Sequence, residues 1–255
     1  MNDAPDHSHA STKHLLDLLR KSDSKITLFV TGEFYERYPE LVEQAAGDGH
    51  EIGYHTHNHP LVTDSDVLQT ELGKSEYFLK RFQPRGFRAP WIYLKRECLG
   101  TLRDFGFVYD SSCLGEAGDY CDYDGIWSMP VTTIPLLKRK LGIQYGKRVK
   151  PKMLFQQVPI GSGYMVSFMR TFYQPILNYY GKRNRSVIFY LHPWQILKNS
   201  GIRHSGLRSI HKIPLASRLE SLIENNPFTT MTNSLNSRRE GSGFAGHCLT
   251  FDIEC

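Results

Sequence analysis

Apolar and polar positions along the chain switch repeatedly between a period near two and a period near 3.6. ITLFVTG (26–32) is a short β-rich run closed by glycine and reads as a buried strand. The segment before it, KHLLDLLRKS, carries Leu15, Leu16, Leu18 and Leu19 in a helical stripe, with Ser11 and Thr12 as the expected cap. YPELVEQAAGDG reads as a helix stopped at Gly47 or Gly49. EIGYHTHNHP reads as a strand running into a proline-terminated loop, and SDVLQTELGKSEYFLKRF as an amphipathic helix. GFRAPW and FVYDSS are strand ends on either side of the helix CLGTLRDFG. SVIFYLHPW (186–194) is a strongly apolar strand, LASRLESLIENN a helix, and PFTTMTN a late strand. The alternation argues for a parallel sheet with crossover helices.

The polar residues of interest fall where these strands end: Thr31, His55, His59, Arg88, Asp110, His192, Asp252 and Glu254. In a β/α barrel that is the end where active sites are built. Between Thr132 and Tyr180 the alternation lapses, so residues 132–180 read as an insertion near the site mouth. The 255 residues suit a single domain over 1–255, and 40% hydrophobic with 12% aromatic residues suffice for a core. A net charge of +5 is too mild to call for nucleic acid. Five cysteines without a CxxC pair support neither a thiolate zinc site nor a disulfide framework, and suggest reduced thiols and a cytoplasmic location. No apolar run reaches the ~20 residues of a membrane span, and the polar start lacks a signal-peptide core. The basic stretch Lys138 to Lys152 is usually a solvated face in such chains, and otherwise a peripheral contact with an anionic polymer or a membrane.

HTHNHP places three histidines at alternate positions. Pro60 and Gly53 argue against a helix, and a strand end with period two puts His55, His57 and His59 on one side. Neutral imidazoles suit a divalent metal, zinc above all, which typically takes three protein ligands and leaves a position for water. TFDIE supplies Asp252 and Glu254 two residues apart on one strand face, so one carboxylate can hold a metal while the other takes a proton from water. His192 leaves an apolar strand and titrates in the range useful for proton delivery. Arg88, in a proline-stiffened loop, can fix a carboxylate. GSGYMVSFMRTFYQP sets glycine-rich backbone beside aromatic faces that suit sugar rings.

Together these motifs resemble the polysaccharide deacetylases of the NodB-homology type, carbohydrate esterase family 4. TFDIE stands for the family's TFDD-like strand end, HTHNH for its H-[ST]-x-x-H metal motif, RAPW for its R-x-P loop and YLHPW for its L-x-H strand end. FDIE, FRAPW, YDSS, VPIGSGY and LHPWQI resemble the exopolysaccharide-associated subgroup more closely still. The resemblance implies a distorted (β/α)7 barrel and metal-dependent removal of N-acetyl or O-acetyl groups from a glycan. It makes Asp252 the base, Glu254, His55 and His59 the ligands of a divalent metal (zinc by ligand type), and His192 the general acid. Arg88 would orient Asp252, Asp110 would tune a neighbouring charge, and His57 would not be a ligand. Trp91, Gly163, Tyr164 and Trp194 are expected on the substrate side. The partner would be an acetylated glycan rather than nucleic acid.

One departure concerns order. In the family the TFDxE strand precedes the helix matching HLLDLLRK, whereas here it follows everything else. The expectation is a circular permutation: the usual first strand occupies 248–255, reached through a flexible linker at 234–247, and inserts between the ITLFV and FTTMT strands. A rearranged gene is the competing account. Two other functions compete with the deacetylase: an amidohydrolase acting on a small C–N substrate, and an inactive glycan-binding relative whose carboxylates never reach its histidines.

Overall fold

The computed structural model describes residues 7–136, 143, 145–146, 157–169, 173–196 and 215–255. In chain order the strands are β1 (Thr27–Val30), β2 (Glu51–Tyr54), β3 (Gly86–Phe87), β4 (Tyr109–Asp110), β5 (Leu114–Gly115), β6 (Cys121–Tyr123), β7 (Ile126–Ser128), β8 (Val131–Thr132), β9 (Ile134–Pro135), β10 (Gln157–Val158), β11 (Phe228–Thr229), β12 (His247–Cys248) and β13 (Thr250–Ile253). The helices are α1 (His7–Leu19), α2 (Gly32–Arg37), α3 (Pro39–Gly47), α4 (Ser65–Lys74), α5 (Glu76–Phe82), α6 (Cys98–Asp104), α7 (Gly163–Met169), α8 (Tyr173–Gly181), α9 (Leu215–Asn225) and α10 (Met231–Glu240). The central sheet runs β13-β1-β2-β3-β4-β7-β6, parallel except for the β6–β7 pair. The architecture is α/β, a mostly parallel central sheet with crossover helices.

β13 ends this seven-stranded order, but its outer side is not open, because residues 187–191 bridge to it. Thr250 to Ile253 pair in parallel with Thr27 to Val30. On its other side, Leu191 N donates to Thr250 O (3.1 Å) and Asp252 N to Leu191 O (2.9 Å). Below it, β12 pairs with β11 and with Phe189, whose N donates to Cys248 O at 2.8 Å. The strand therefore lies between β1 and the Val187–Leu191 segment. The FTTMT region pairs with β12 instead, which corrects the expected neighbour.

The period-two pattern explains how the strands divide two environments. Leu28, Val30, Ile52, Tyr54, Phe251 and Ile253 face the larger core beneath the helices. Phe29, Tyr109, Met129, Ile188 and Cys248 point the other way and form a second cluster with Met231 and Leu235 of α10. Space there is tight: a Cβ on Gly53 would meet the Phe29 ring at 2.6 Å, and one on Gly86 the Tyr109 ring at 2.1 Å. Glycine at both positions admits the two rings.

Three sequence expectations change. The 234–247 linker is not flexible throughout, because α10 occupies its first half. Thr230 Oγ1 caps that helix by accepting from Asn233 N (3.2 Å), and Gly241 ends it with φ 67°. Its first turn is tied to β2 through Glu51, which accepts from Thr232 N (3.0 Å), Thr232 Oγ1 (2.5 Å), Thr27 Oγ1 (2.8 Å) and Tyr109 Oη (2.8 Å). The described part of 132–180 is not a simple insertion either. α7 and α8 bury Val166, Tyr173, Leu177 and Tyr180 in the main core. Finally, Ser11 and Thr12 lie inside α1, not at its cap. Most of the basic stretch Lys138 to Lys152, and with it the expected membrane or polymer contact, lies outside the described residues. No helix among the described residues is long and apolar enough to cross a membrane. Cys98, Cys113, Cys121 and Cys248 are free thiols.

Candidate metal and active site

Three strand ends deliver the polar cluster. β2 hands over to His55, whose N donates to Val30 O (3.0 Å). The chain then leaves the extended conformation at once: Thr56 has φ 67° and His59 φ 56°. This corrects the alternating-strand reading of HTHNHP. His57 turns away from its neighbours, with Nδ1 3.0 Å from Ser75 Oγ, while His55 and His59 converge with ring centroids 4.9 Å apart. β13 supplies Asp252, which is 1% exposed, and the residues after it bring in Glu254. Val187–Leu191 ends at His192.

His59 Nε2 lies 2.7 Å from Glu254 Oε2, His192 Nε2 3.8 Å from Glu254 Oε1, and His55 Nε2 3.6 Å from Asp252 Oδ2. The carboxylates thus reach the histidines, so the premise of the inactive-relative reading is not met. Donor atoms of His55, His59 and Glu254 all fall within 4.8 Å of one another. His55 supplies the test of whether this set suits a metal. Its Nδ1 donates to Arg88 O at 2.7 Å, and a carbonyl can only accept, so Nδ1 carries the proton. Burial depresses the imidazole to about 3, so the ring is neutral and Nε2 is bare. That Nε2 is buried and has no hydrogen-bond partner. A buried, unprotonated, unsatisfied nitrogen aimed at a carboxylate is the state a metal-ligating histidine is held in. Two imidazoles and a carboxylate fit a divalent transition metal.

Arg88 organises the base of the cluster. Its side chain is wholly buried and stacks over the Phe29 ring, 4.3 Å from the centroid. Nη1 donates to Asp252 Oδ1 (3.0 Å) and Thr250 Oγ1 (2.6 Å); Nη2 donates to Ser111 Oγ (2.8 Å). Asp252 therefore presents its second oxygen to the cluster. Burial raises its carboxyl above the usual range, with Arg88 pulling the other way. Burial would also raise Glu254, but the His59 hydrogen bond and the His59, His192 and His55 imidazoles outweigh it and hold it at about 2. Burial lowers His192, opposed by Asp252 and Glu254.

Asp110 is not among the converging groups. Its carboxylate accepts from Ser112 Oγ (2.5 Å), Ser112 N (3.0 Å) and Tyr145 Oη (2.8 Å), and burial pushes it to about 6. Ser112 Oγ in turn accepts from Ala89 N (2.7 Å), so Asp110 braces the RAPW loop from behind. Trp91 stands at the rim, half exposed, its ring centroid 4.9 Å from that of His59. Trp194 lies beside His192, with centroids 5.3 Å apart. Tyr164 is partly exposed at the start of α7. Gly163 is packed so closely on Gln195 that a Cβ would meet Oε1 at 2.3 Å, which makes it a close-approach residue rather than a ligand-facing one. Sequence reasoning missed Thr250, Ser111 and Tyr190. Tyr190 Oη lies 3.4 Å from His192 Nε2. Its position two residues before His192, on the same strand face, was the available signal.

Residues 2–109 match the family model for polysaccharide deacetylase. A peptidoglycan-N-acetylglucosamine deacetylase of Bacillus cereus is 33% identical over 110 residues, covering 42% of this chain and 51% of its own length. A chitooligosaccharide deacetylase of Azorhizobium caulinodans is 30% identical over 108 residues, covering 40% and 51%. The chain spans about half the length of these curated relatives. Among solved structures, a Mycobacterium smegmatis protein described as a polysaccharide deacetylase superposes with a TM-score of 0.61 at 19% identity, over 92% of this chain and 79% of that one. A Pseudomonas aeruginosa protein so described gives 0.57 at 17% identity, over 92% and 74%. These two carry the fold across almost the whole chain, while the family model covers the part that holds His55, His59 and Arg88. By sequence over residues 2–109, and by fold over almost its whole length, the chain is similar to the polysaccharide deacetylases.

Proposed function

We propose that this protein is a metal-dependent hydrolase that removes acetyl groups from an amino-sugar polymer, of the exopolysaccharide or cell-wall kind. The observation that carries the reading is the bare, unsatisfied Nε2 of His55 facing the carboxylates of β13. His55, His59 and Glu254 would hold the cation, for which zinc is the expectation from ligand type. When bound, it supplies Lewis-acid polarisation of the acetyl carbonyl.

The remaining steps belong to the chain's own side chains. Asp252 is the base: Arg88 holds Oδ1, and burial makes the carboxylate more basic than a solvated one, so Oδ2 takes the proton of the attacking water. The C–N bond of the amide (or C–O bond of an ester) breaks as His192 gives a proton to the leaving atom. Trp91 and Trp194 form apolar walls for sugar rings, with Tyr164 at the start of α7 as a third aromatic face. The order of elements is read as a circular permutation, because β13 pairs with β1 in the register that brings Asp252 to Arg88.

The test is acetate release from chitin oligosaccharides and from acetylated peptidoglycan, with metal content measured on the same preparations. The full chain is expected to hold about one equivalent of divalent metal and to release acetate. Glu254→Gln is expected to lose most of the metal. Full metal content in Glu254→Gln, or acetate release that persists after chelation, would count against the assignment.

A further inference from the structure

We propose that Glu71, on α4, is the positioning residue that pre-forms the metal-binding loop. This rests on the metal reading above. The loop between His55 and His59 needs two residues in the left-handed region, Thr56 and His59, a conformation that β-branched and ring side chains rarely adopt without support. Support comes from both sides, and from outside the loop.

On one side, Gly32 N and Glu33 N at the start of α2 donate to Thr56 O (2.9 Å) and His57 O (3.1 Å). On the other, a single carboxylate oxygen, Glu71 Oε2, accepts from His57 N (2.9 Å) and Asn58 N (2.7 Å). Glu71 is 3% exposed. Its other oxygen accepts from Lys74 Nζ (2.7 Å), and the same ammonium reaches Asn58 Oδ1 (3.0 Å). Burial would raise the Glu71 carboxyl, yet these hydrogen bonds and the Lys74 charge bring it below the usual value, so it is an anion. Tyr54 Oη donates to Glu71 O (2.7 Å), fixing the backbone of α4 against the end of β2.

The backbone polar groups around His57 are thus satisfied by α2 and by Glu71, leaving the flanking imidazoles free to face Glu254. A carboxylate that anchors the loop fixes the orientation of its ligands as firmly as a bond to the imidazole would, and losses of such outer support typically weaken metal binding about 10- to 100-fold. Glu71 is not among the residues that would hold the metal, and acts by holding the backbone of that loop.

Zinc affinity of the full chain, measured by competition with a chromophoric chelator, tests this beside thermal denaturation of the metal-free protein. Glu71→Gln keeps the shape but sets an amide nitrogen against Lys74; it is expected to weaken Zn2+ binding about tenfold, and Glu71→Ala about a hundredfold. Leu68→Ala, buried on the same helix, is expected to lower the melting temperature while leaving affinity within about twofold of wild type. Wild-type affinity in Glu71→Gln and Glu71→Ala, or an equal loss in Leu68→Ala, overturns the proposal. Should Glu71→Ala not fold, Glu71→Gln decides alone. His59→Ala is the separate control: if it binds Zn2+ as the wild type does, the metal reading itself fails, whatever Glu71 does.

Discussion

Arg88 is a cation with no access to water, and its neighbours leave little of it unused. Asp252, Thr250 and Ser111 take its N–H groups and Phe29 covers its face. A buried pair of this kind is weak evidence of net stabilisation, but breaking it from one side leaves an uncompensated charge. Arg88→Met is therefore expected to destabilise the fold by about 3–5 kcal/mol in urea titration, through the stranded Asp252 carboxylate. Asp252→Asn removes the opposite charge of the pair and also removes the proposed base. Its deacetylation rate is expected to fall by about 10²- to 10⁴-fold with metal content retained, since His55, His59 and Glu254 are untouched. At this scale the sequence was informative: strand-end positions picked out His55, His59, Arg88, His192, Asp252 and Glu254, and they converge. It was misleading for Asp110, because a two-residue strand hands its end over to a turn, and the Ser112 and Tyr145 contacts that capture the carboxylate come from elsewhere.

Among the elements, legibility follows the strength of the apolar period. α3, α4 with α5, α6 and α9 were readable because each carries a clear buried stripe. α10 was not: MTNSLNSRRE has only Met231 and Leu235 as large buried residues, and its serines and asparagines usually signal a loop. What makes it helical is the Thr230 cap, the left-handed Gly241 and the Glu51 carboxylate at its first turn, and a polar stretch does not advertise those. Thr230→Ala is expected to cost about 1 kcal/mol by loss of the cap, read as a lower midpoint in chemical denaturation. HTHNHP failed in a different way. Its alternation fits a strand, but the left-handed turns at Thr56 and His59 depend on partners in α2 and α4 that no local pattern reveals.

For the whole molecule, the titrations of His50 and His247 make stability depend on pH. Burial lowers each to about 4, and each ring accepts a backbone N–H, from Ile26 and Val187 respectively. Their folded values lie below the unfolded one, so the unfolded chain binds more protons beneath pH 6.5. The stability they contribute is present above that pH and is lost as pH falls towards 4, by up to roughly 3 kcal/mol for each ring. Asp110, raised to about 6, acts in the opposite sense over much of this range and offsets part of the loss. Thermal melts between pH 7 and 4 are expected to show a falling midpoint, and His247→Asn, which keeps an acceptor for Val187 N, a shallower fall.

The insertion of β13 between β1 and Val187–Leu191 also governs when the molecule can fold during synthesis. Both of its neighbours leave the ribosome long before it does. Until it arrives, two parallel-strand edges with their N–H and C=O groups face each other across a gap, and Arg88 has no carboxylate. Open edges of this kind invite pairing with other chains. Closure relies on contacts between distant parts of the sequence, which form slowly. In that interval the gap can be filled either by the chain's own β13 or by a strand of a neighbouring molecule.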